Sequence, residues 1–318
     1  MSPERAEPAG ILNVNKPAGF TSHAVVARVR HLTGQRKAGH AGTLDPMATG
    51  VLLLCLGQAT RVAEYLMAGR KKYRAVVRLG LATDTYDADG VVTQIVETFH
   101  VTQDQVAEAL ALFQGAIQQV PPPFSAIMHH GQRLYRLARR GLAVQVPPRT
   151  VEIDSIDLIA WQPPHLTLDV TCSPGTYIRS LAHDLGRVLE VGGHLSALTR
   201  LASGEWRLEE AVTLDELQAA VEAGRWTDLL HPLDAALGAF DRVNLPDELA
   251  WRVGQGQTVP LDCPAQTRLA RAYTPDGRLL ALLRPCDEPG FWRPQKVFAD
   301  ERQTSSVKRQ DDTAGHDV

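Results

Sequence analysis

The chain has 318 residues, 44% hydrophobic and 22% charged, with 33 Lys and Arg against 36 Asp and Glu. That is enough for about two domains with a substantial core, and the composition excludes a disordered or fibrous chain. The scattered Cys55, Cys172, Cys263 and Cys286 form no CxxC pair, which argues against a zinc ribbon or a disulfide scaffold and for a reducing, cytosolic compartment. No stretch reaches the ~20 apolar residues of a membrane span, and Met1–Gly10 carries no apolar signal region.

In chain order, Ile11–Val14 reads as a short strand stopped by Lys16 and Pro17. Ser22 is placed to cap a helix through about Leu32, with Val25, Val29 and Leu32 inward and Gly34 as the stop. Gly39–Gly50 (Gly-His-Ala-Gly-Thr-Leu-Asp-Pro-Met-Ala-Thr-Gly) reads as a shaped loop. Its glycines permit backbone turns that other residues resist, and Pro46 forces Asp45 toward an extended or turn geometry. Val51–Leu56 is an apolar run of buried-strand length, and a helix is predicted over Ala59–Met67. Lys71–Leu79 alternates, with Tyr73, Ala75, Val77 and Leu79 on one face and Lys72, Arg74 and Arg78 on the other.

Thr83–Gly90 is an acidic turn leading into Val91–Val96; it fails as a calcium loop because the twelfth position is Val96 rather than Glu. Thr102 and Gln105 make a capping box for a helix through Phe113. Three prolines, Pro121–Pro123, precede a predicted strand over Phe124–Met128, and Arg133–Arg140 is a basic segment with Leu134, Tyr135 and Leu137 interleaved. Val151–Trp161 and Leu166–Cys172 read as strands, and Thr176–Leu189 as a helix with Ile178, Leu181, Ala182, Leu185 and Leu189 inward. Ser196–Gly204 returns as strand or loop, and Thr213 with Glu216 caps a further helix. From about Asp241 the texture changes to a short helix, Pro246–Val253, followed by short strands over Thr267–Tyr273 and Leu279–Arg284 around a Pro275-Asp276-Gly277 turn. The polar stretch after Asp300 reads as disordered.

Charge is segregated along this chain. Ile11–Arg78 holds eleven Lys and Arg but only two acids, Asp45 and Glu64, and Pro121–Thr150 holds five Arg and no acid. A loop with a single carboxylate inside so basic a stretch points to a polyanionic partner, with Asp45 kept for chemistry. Arg179 is a second anomaly: a cation in the first turn of a helix opposes the helix dipole, which hints at a carboxylate or phosphate partner.

These blocks together resemble the TruB-type tRNA pseudouridine synthases. Gly39–Gly50 resembles the family's catalytic loop, Leu12–Gly19 its opening strand and Lys-Pro turn, and Lys71–Arg74 its base-stacking tyrosine strand. Thr83–Gly90 resembles its Thr-Asp-Thr-x-Asp block, Ser125–Arg140 its Ser-Ala and Leu-Tyr block, Cys172–Leu185 its Gly-Thr-Tyr-Ile-Arg helix start, and Leu198–Leu201 its Leu-x-Arg-Leu strand. The resemblance runs in order over roughly residues 10–300.

It implies an α+β protein: a pseudouridine-synthase fold, with a mixed, largely antiparallel sheet flanked by helices, over residues 10–240, and a small β-barrel-like PUA domain over 241–300. Residues 1–9 would be a flexible N-terminus and 301–318 a disordered tail. The implied reaction isomerises uridine 55 of the tRNA T loop by flipping the base out, breaking its N-glycosidic bond and re-attaching it through C5, with no cofactor and no metal. By resemblance, Asp45 is the nucleophile, Arg179 its ion-pair partner, and Tyr73 the residue that stacks on the flipped uracil and assists proton removal from C5. His40 would fill the space left by flipping, Tyr177 and Leu198 would line the uracil pocket, and Lys16 and Arg61 are candidates for loop or phosphate contacts. The partner is tRNA, the protein a cytoplasmic monomer without a membrane or an obligate protein partner. Two alternatives stand beside this reading: a non-catalytic tRNA-binding chaperone and a guide-RNA-dependent synthase.

Overall fold

The structure is a computed structural model that describes residues 8–125, 128–129, 132–134, 146–263 and 267–298. The chain divides into two compact units, one ending at His231 and the other beginning at Pro232. Among the described residues no helix is long and apolar enough to cross a membrane.

The first unit is built on one nine-stranded sheet. Its strands are β1 (Gly10–Lys16), β2 (Ala38–His40), β3 (Thr49–Leu56) and β4 (Lys71–Leu79), with β5 (Leu81–Thr83) and β6 (Val92–Ile95) forming a separate small ribbon. The sheet continues with β7 (Gly115–Gln119); β8 (Met128–His129) and β9 (Gln132–Arg133) pair with each other, and then β10 (Arg149–Gln162), β11 (His165–Cys172), β12 (Gly193–Ser203) and β13 (Trp206–Arg207) complete it. The order across the sheet is β1-β3-β12-β4-β11-β10-β7, with β2 on β3 and β13 on β12.

Every pairing in this sheet is antiparallel except one. Strands β3 and β12 run parallel through Thr199 opposite Thr49 and Arg200 opposite Gly50. That join matters because it sets the end of the Asp45 loop against Arg200. Only glycine fits there: Gly50 has φ 96°, and a Cβ on it would lie 2.3 Å from the Arg200 carbonyl oxygen.

The helices follow their sequence signals closely. Helix α1 (Ser22–Thr33) ends at Gly34 in the left-handed conformation, but its cap is Thr21, whose hydroxyl accepts from the Ala24 amide. Ser22 is buried instead, because its hydroxyl is recruited by Leu44. The segment predicted as one helix over Ala59–Met67 is a 3-10 turn, Gly57–Val62, running into the short α2 (Ala63–Ala68). Helix α3 (Gln103–Ala111) carries the full Thr102 and Gln105 capping box. Helix α4 (Ile178–Val188) buries Ile178, Leu181, Ala182 and Leu185 against the sheet, approaching β12 where Gly186 meets Gly193 so tightly that a Cβ would lie 2.2 Å from the Gly193 nitrogen. Helix α5 (Leu214–Glu222) begins with the Thr213 and Glu216 capping box. Strand β3 is buried on both faces, every residue from Val51 to Leu56 at zero exposure: Leu52, Leu54 and Leu56 join the core beneath these helices, each leucine contributing roughly 1.5–3 kcal/mol relative to exposure.

One local expectation changes. Of the strand predicted over Phe124–Met128, Phe124 and Ser125 are in no strand, Phe124 lying in a bend directly after the three prolines, while Met128 opens β8. The basic segment Arg133–Arg140 lies outside the described residues beyond Leu134, as does the polar tail.

The second unit contains β14 (Asp241–Asn244), α6 (Asp247–Gly254), β15 (Val259–Pro260), β16 (Ala270–Tyr273), β17 (Leu279–Pro285) and β18 (Phe291–Val297). The strands form one five-stranded sheet in the order β14-β16-β17-β18-β15, closed over Val253, Val259, Ala272, Leu283 and Trp292. The Tyr273 hydroxyl donates to Asp234 at 2.7 Å, and the Arg242 guanidinium lies 4.1 Å from the Tyr273 ring centre.

Candidate active site

The Asp45 loop is pinned almost residue by residue. At its entry, the Ala41 amide donates to Leu53 O at 2.8 Å. Ser22 holds Leu44 from both sides, accepting from its amide at 2.9 Å and donating to its carbonyl at 3.2 Å. Beyond Asp45, Pro46 O accepts from the Gly19 amide at 2.8 Å and from Lys16 Nζ at 3.1 Å. The Ala48 amide closes a turn onto Asp45 O at 3.1 Å. At the exit the Thr49 and Thr199 hydroxyls meet at 2.9 Å. Arg200, only 1% exposed, spans the loop's two ends by donating from Nε to Val51 O at 2.6 Å and from Nη2 to Gly42 O at 3.2 Å.

So held, Asp45 faces a cavity of about 350 Å³. Its walls include Tyr73, Leu198, Tyr177, Ser125 and Lys71. Arg179 enters from the first turn of α4 and is 6% exposed. Its Nη2 donates to Asp45 Oδ1 at 3.2 Å and to Phe124 O at 3.0 Å. Nε lies 2.9 Å from Asp45 Oδ2, an ion-pair contact without hydrogen-bond alignment. Nη1 reaches the other way, to Thr85 O and to Asp87 Oδ2, both at 3.2 Å. One buried cation therefore sits between two carboxylates, which accounts for its position against the helix dipole.

Burial governs the protonation of this site. Asp45 is pushed above the ordinary carboxylate value by desolvation, with Arg179 pulling it back down and Asp87 adding to the rise. Tyr73 is 9% exposed and its phenol is also pushed up, by burial first, so it is neutral at physiological pH. Lys16 and Lys71 are each lowered to about 8, again chiefly by burial. Lys71 Nζ donates to Leu66, Met67 and Gly69 carbonyls, closing the end of α2 beside the cavity.

Of the residues singled out in the sequence, Asp45, Arg179, Tyr73, Tyr177 and Leu198 converge on this one cavity. Tyr177 is fixed by its backbone: its amide donates to Gln119 Oε1 at 2.7 Å and its carbonyl accepts from Gln119 Nε2 at 3.0 Å. The other three stand elsewhere. Lys16 is fully buried and its ammonium is turned inward onto the Pro17, Phe20 and Pro46 carbonyls, so it grips the loop from behind. His40 ends β2, half-buried, edge-on to His23 with ring centres 5.1 Å apart, and its burial lowers its pKa. Arg61 is exposed on the 3-10 turn and does not line the cavity.

Three residues carry more of the site than the sequence reading assigned to them. Asp87 lay in an acidic turn noted only as part of a block, and Arg200 lay unremarked inside Leu198–Leu201. Gln119 belongs to β7, a strand the reading did not find. No signal in the sequence pointed to Asp87, since Asp45 alone balances the charge of Arg179.

Comparison with known proteins follows this geometry. The model of the TruB family pseudouridylate synthase N-terminal domain matches residues 30–178, and that of the tRNA pseudouridylate synthase B C-terminal domain matches residues 179–238. A tRNA pseudouridine synthase B from Dehalococcoides mccartyi is 44% identical over 289 residues, covering 91% of this chain and 96% of that one. Its counterpart from Symbiobacterium thermophilum is 48% identical over 254 residues, 79% of this chain and 83% of that one, and the one from Thiobacillus denitrificans 42% identical over 299 residues, 94% and 99%. Among solved structures, a Cbf5-Nop10-Gar1 complex aligns with a TM-score of 0.71 at 28% identity over 92% of this chain and 86% of that one. An H/ACA RNP bound to a substrate RNA containing 2'-deoxyuridine aligns at 0.69 with 26% identity, over 92% and 85%.

Proposed function

The chain belongs to the TruB family of pseudouridylate synthases, and from that premise we propose that it isomerises uridine 55 in the T loop of tRNA, acting as a cytoplasmic monomer without a guide RNA. It is an isomerase of tRNA with the pseudouridine-synthase fold. The observation that carries the site assignment is the ion pair of Asp45 with Arg179 in a cavity walled by Tyr73, Tyr177 and Leu198.

The chemistry follows from those groups. The target base leaves its stack and enters the cavity, at a cost of a few kcal/mol. Tyr73 offers a ring face for it, and Leu198 and Tyr177 close the space around it. Asp45 supplies the carboxylate that assists departure of the base. Attack at C1′, attack at C6 and assistance to a glycal all require one ionised carboxylate at this place. Arg179 keeps it ionised against the cost of burial and fixes its direction. The base turns and joins C1′ through C5, and the proton then leaving C5 goes to the Asp45 carboxylate, with the neutral Tyr73 hydroxyl able to take it only by handing its own proton on to that carboxylate. His40 and Arg61 stand outside the cavity, where they serve contacts with the surrounding loop and its phosphates. The second unit serves as a PUA-like RNA-binding module.

The test is pseudouridine formation in an unmodified T stem-loop RNA with no guide RNA added, comparing wild type with Asp45→Ala. Product from wild type alone, with equal RNA binding by both proteins, supports the reading. Tight binding without product from wild type would move it to a chaperone or guide-dependent role, and equal product from both would remove Asp45 as the nucleophile.

A further inference from the structure

Arg179 is held by a turn whose middle residue is conspicuous. Tyr86 has φ 65°, a left-handed backbone that a bulky side chain adopts only when its surroundings enforce it. This one residue separates Thr85, whose carbonyl meets Arg179 Nη1, from Asp87, whose carboxylate meets the same nitrogen. The left-handed bend is what brings both acceptors onto one donor. The turn is tied to β12 as well, through Leu195 N to Tyr86 O and Ala88 N to Leu195 O, each at 3.0 Å.

The Tyr86 side chain accounts for the enforcement. Its ring lies flat on the His183 ring, centres 3.8 Å apart and planes 10° from parallel. His183 stands four residues after Arg179 in α4, so the two side chains leave the same face of the same helix. Backbone and side chain of Tyr86 therefore grip one helix face at two points, the Arg179 guanidinium and the His183 ring. Neither ring lines the Asp45 cavity.

We propose that the Tyr86–His183 stack is a positioning device that locks the Thr85–Asp87 turn onto Arg179 and so fixes the guanidinium that orients Asp45. The catalytic consequence rests on the reaction proposed above; the locking itself does not. The stacking face is what matters in this arrangement. The tyrosine hydroxyl and the imidazole proton are dispensable, and glycine at position 86 relaxes the backbone but releases the lock.

Tyr86→Gly, Tyr86→Phe, His183→Ala and His183→Phe separate these effects. Two readouts are taken on each: kcat and KM for the T stem-loop RNA, and the Arg179 guanidinium signals in 13C-detected 15N spectra, assigned with Arg179→Lys. A locked guanidinium gives resolved Nη signals and a freely rotating one gives an averaged signal. The proposal expects Tyr86→Gly and His183→Ala to average the Arg179 signals and to lower kcat about tenfold with KM within about twofold, and both Phe variants to restore resolved signals and kcat. Resolved signals in Tyr86→Gly overturn it, whatever happens to kcat. Averaged signals with unchanged kcat overturn the catalytic half. If wild type itself forms no pseudouridine, the reaction assignment fails, and the spectra alone still decide whether the stack locks Arg179.

Discussion

Two buried arginines flank the Asp45 loop, and they are held in opposite ways. Arg179 sits between the carboxylates of Asp45 and Asp87, one cation against two anions. Arg200 donates to two backbone carbonyls, Gly42 O and Val51 O, at the two ends of the loop. The first therefore sets the charge state and direction of the carboxylate, and the second sets the shape of the loop that carries it. Removing each should separate chemistry from architecture, and the effects on turnover should fall in order as the change moves from the carboxylate outward.

Asp45→Asn should have the largest effect, a loss of turnover of about 10⁴-fold or more, the scale for removing a nucleophile. Stability should move the other way. The folded-state pKa of Asp45 is raised by burial, so this group's contribution to stability is full below the unfolded pKa and lost as pH rises through the folded one. At neutral pH the ionised carboxylate is thus a cost, and Asn should leave Tm equal or higher. A fall in Tm of several degrees would show that the Arg179 pair stabilises the fold on balance.

Arg179→Met comes next. It strands Asp87 as a buried anion and leaves Asp45, a third exposed, without its partner, which should cost about 2–4 kcal/mol in urea unfolding. Turnover by the folded protein should fall about 10²–10³-fold, the scale for losing one preorganised charge.

Asp87→Asn is a finer cut. It removes an anchor of Arg179, so turnover should drop roughly 10–100-fold, in the range of lost orienting contacts. It also removes the like charge that helps to raise Asp45. The acid limb of the kcat/KM profile reports Asp45 losing its charge as pH falls, and it should move to lower pH in this variant. Movement to higher pH would mean that Asp87 acts mainly by holding Arg179 in place.

How much of this was legible in the sequence varies with the kind of force involved. Asp45 was visible because glycines, a proline and a lone acid in a basic stretch leave few roles for it. The inward face of Tyr73 followed from the period-two pattern of β4, which the observed burial repeats residue by residue, but that pattern fits an ordinary core tyrosine equally, and its place in the site came only from the family resemblance. Arg179 announced a partner by standing at the wrong end of a helix. Asp87 did not, because an acid in a turn looks like surface until the fold folds it inward. Strand β7, Gly-Ala-Ile-Gln-Gln, has little intrinsic strand preference and exists because the first five residues of β10 pair with it. Thr21 and Ser22 are both capping types, and only the distant Leu44 decides which one caps and which one is buried.

Arg200→Met should have the smallest effect on turnover and thereby completes the contrast. Arg200 lines the cavity and bonds Tyr73 but does not touch Asp45, and Ser22, Lys16 and the Gly19 amide continue to hold the loop's middle. Turnover by the folded fraction should stay within about tenfold of wild type. The cost should appear in stability: two carbonyls lose charged donors inside the protein, at about 1–3 kcal/mol each. Methionine recovers part of that by filling the space, so urea unfolding should show a loss of about 2–4 kcal/mol. Equal stability with a thousandfold loss of turnover would reverse the assignment, placing Arg200 in the chemistry through Tyr73, which it faces across the β4 and β12 pairing.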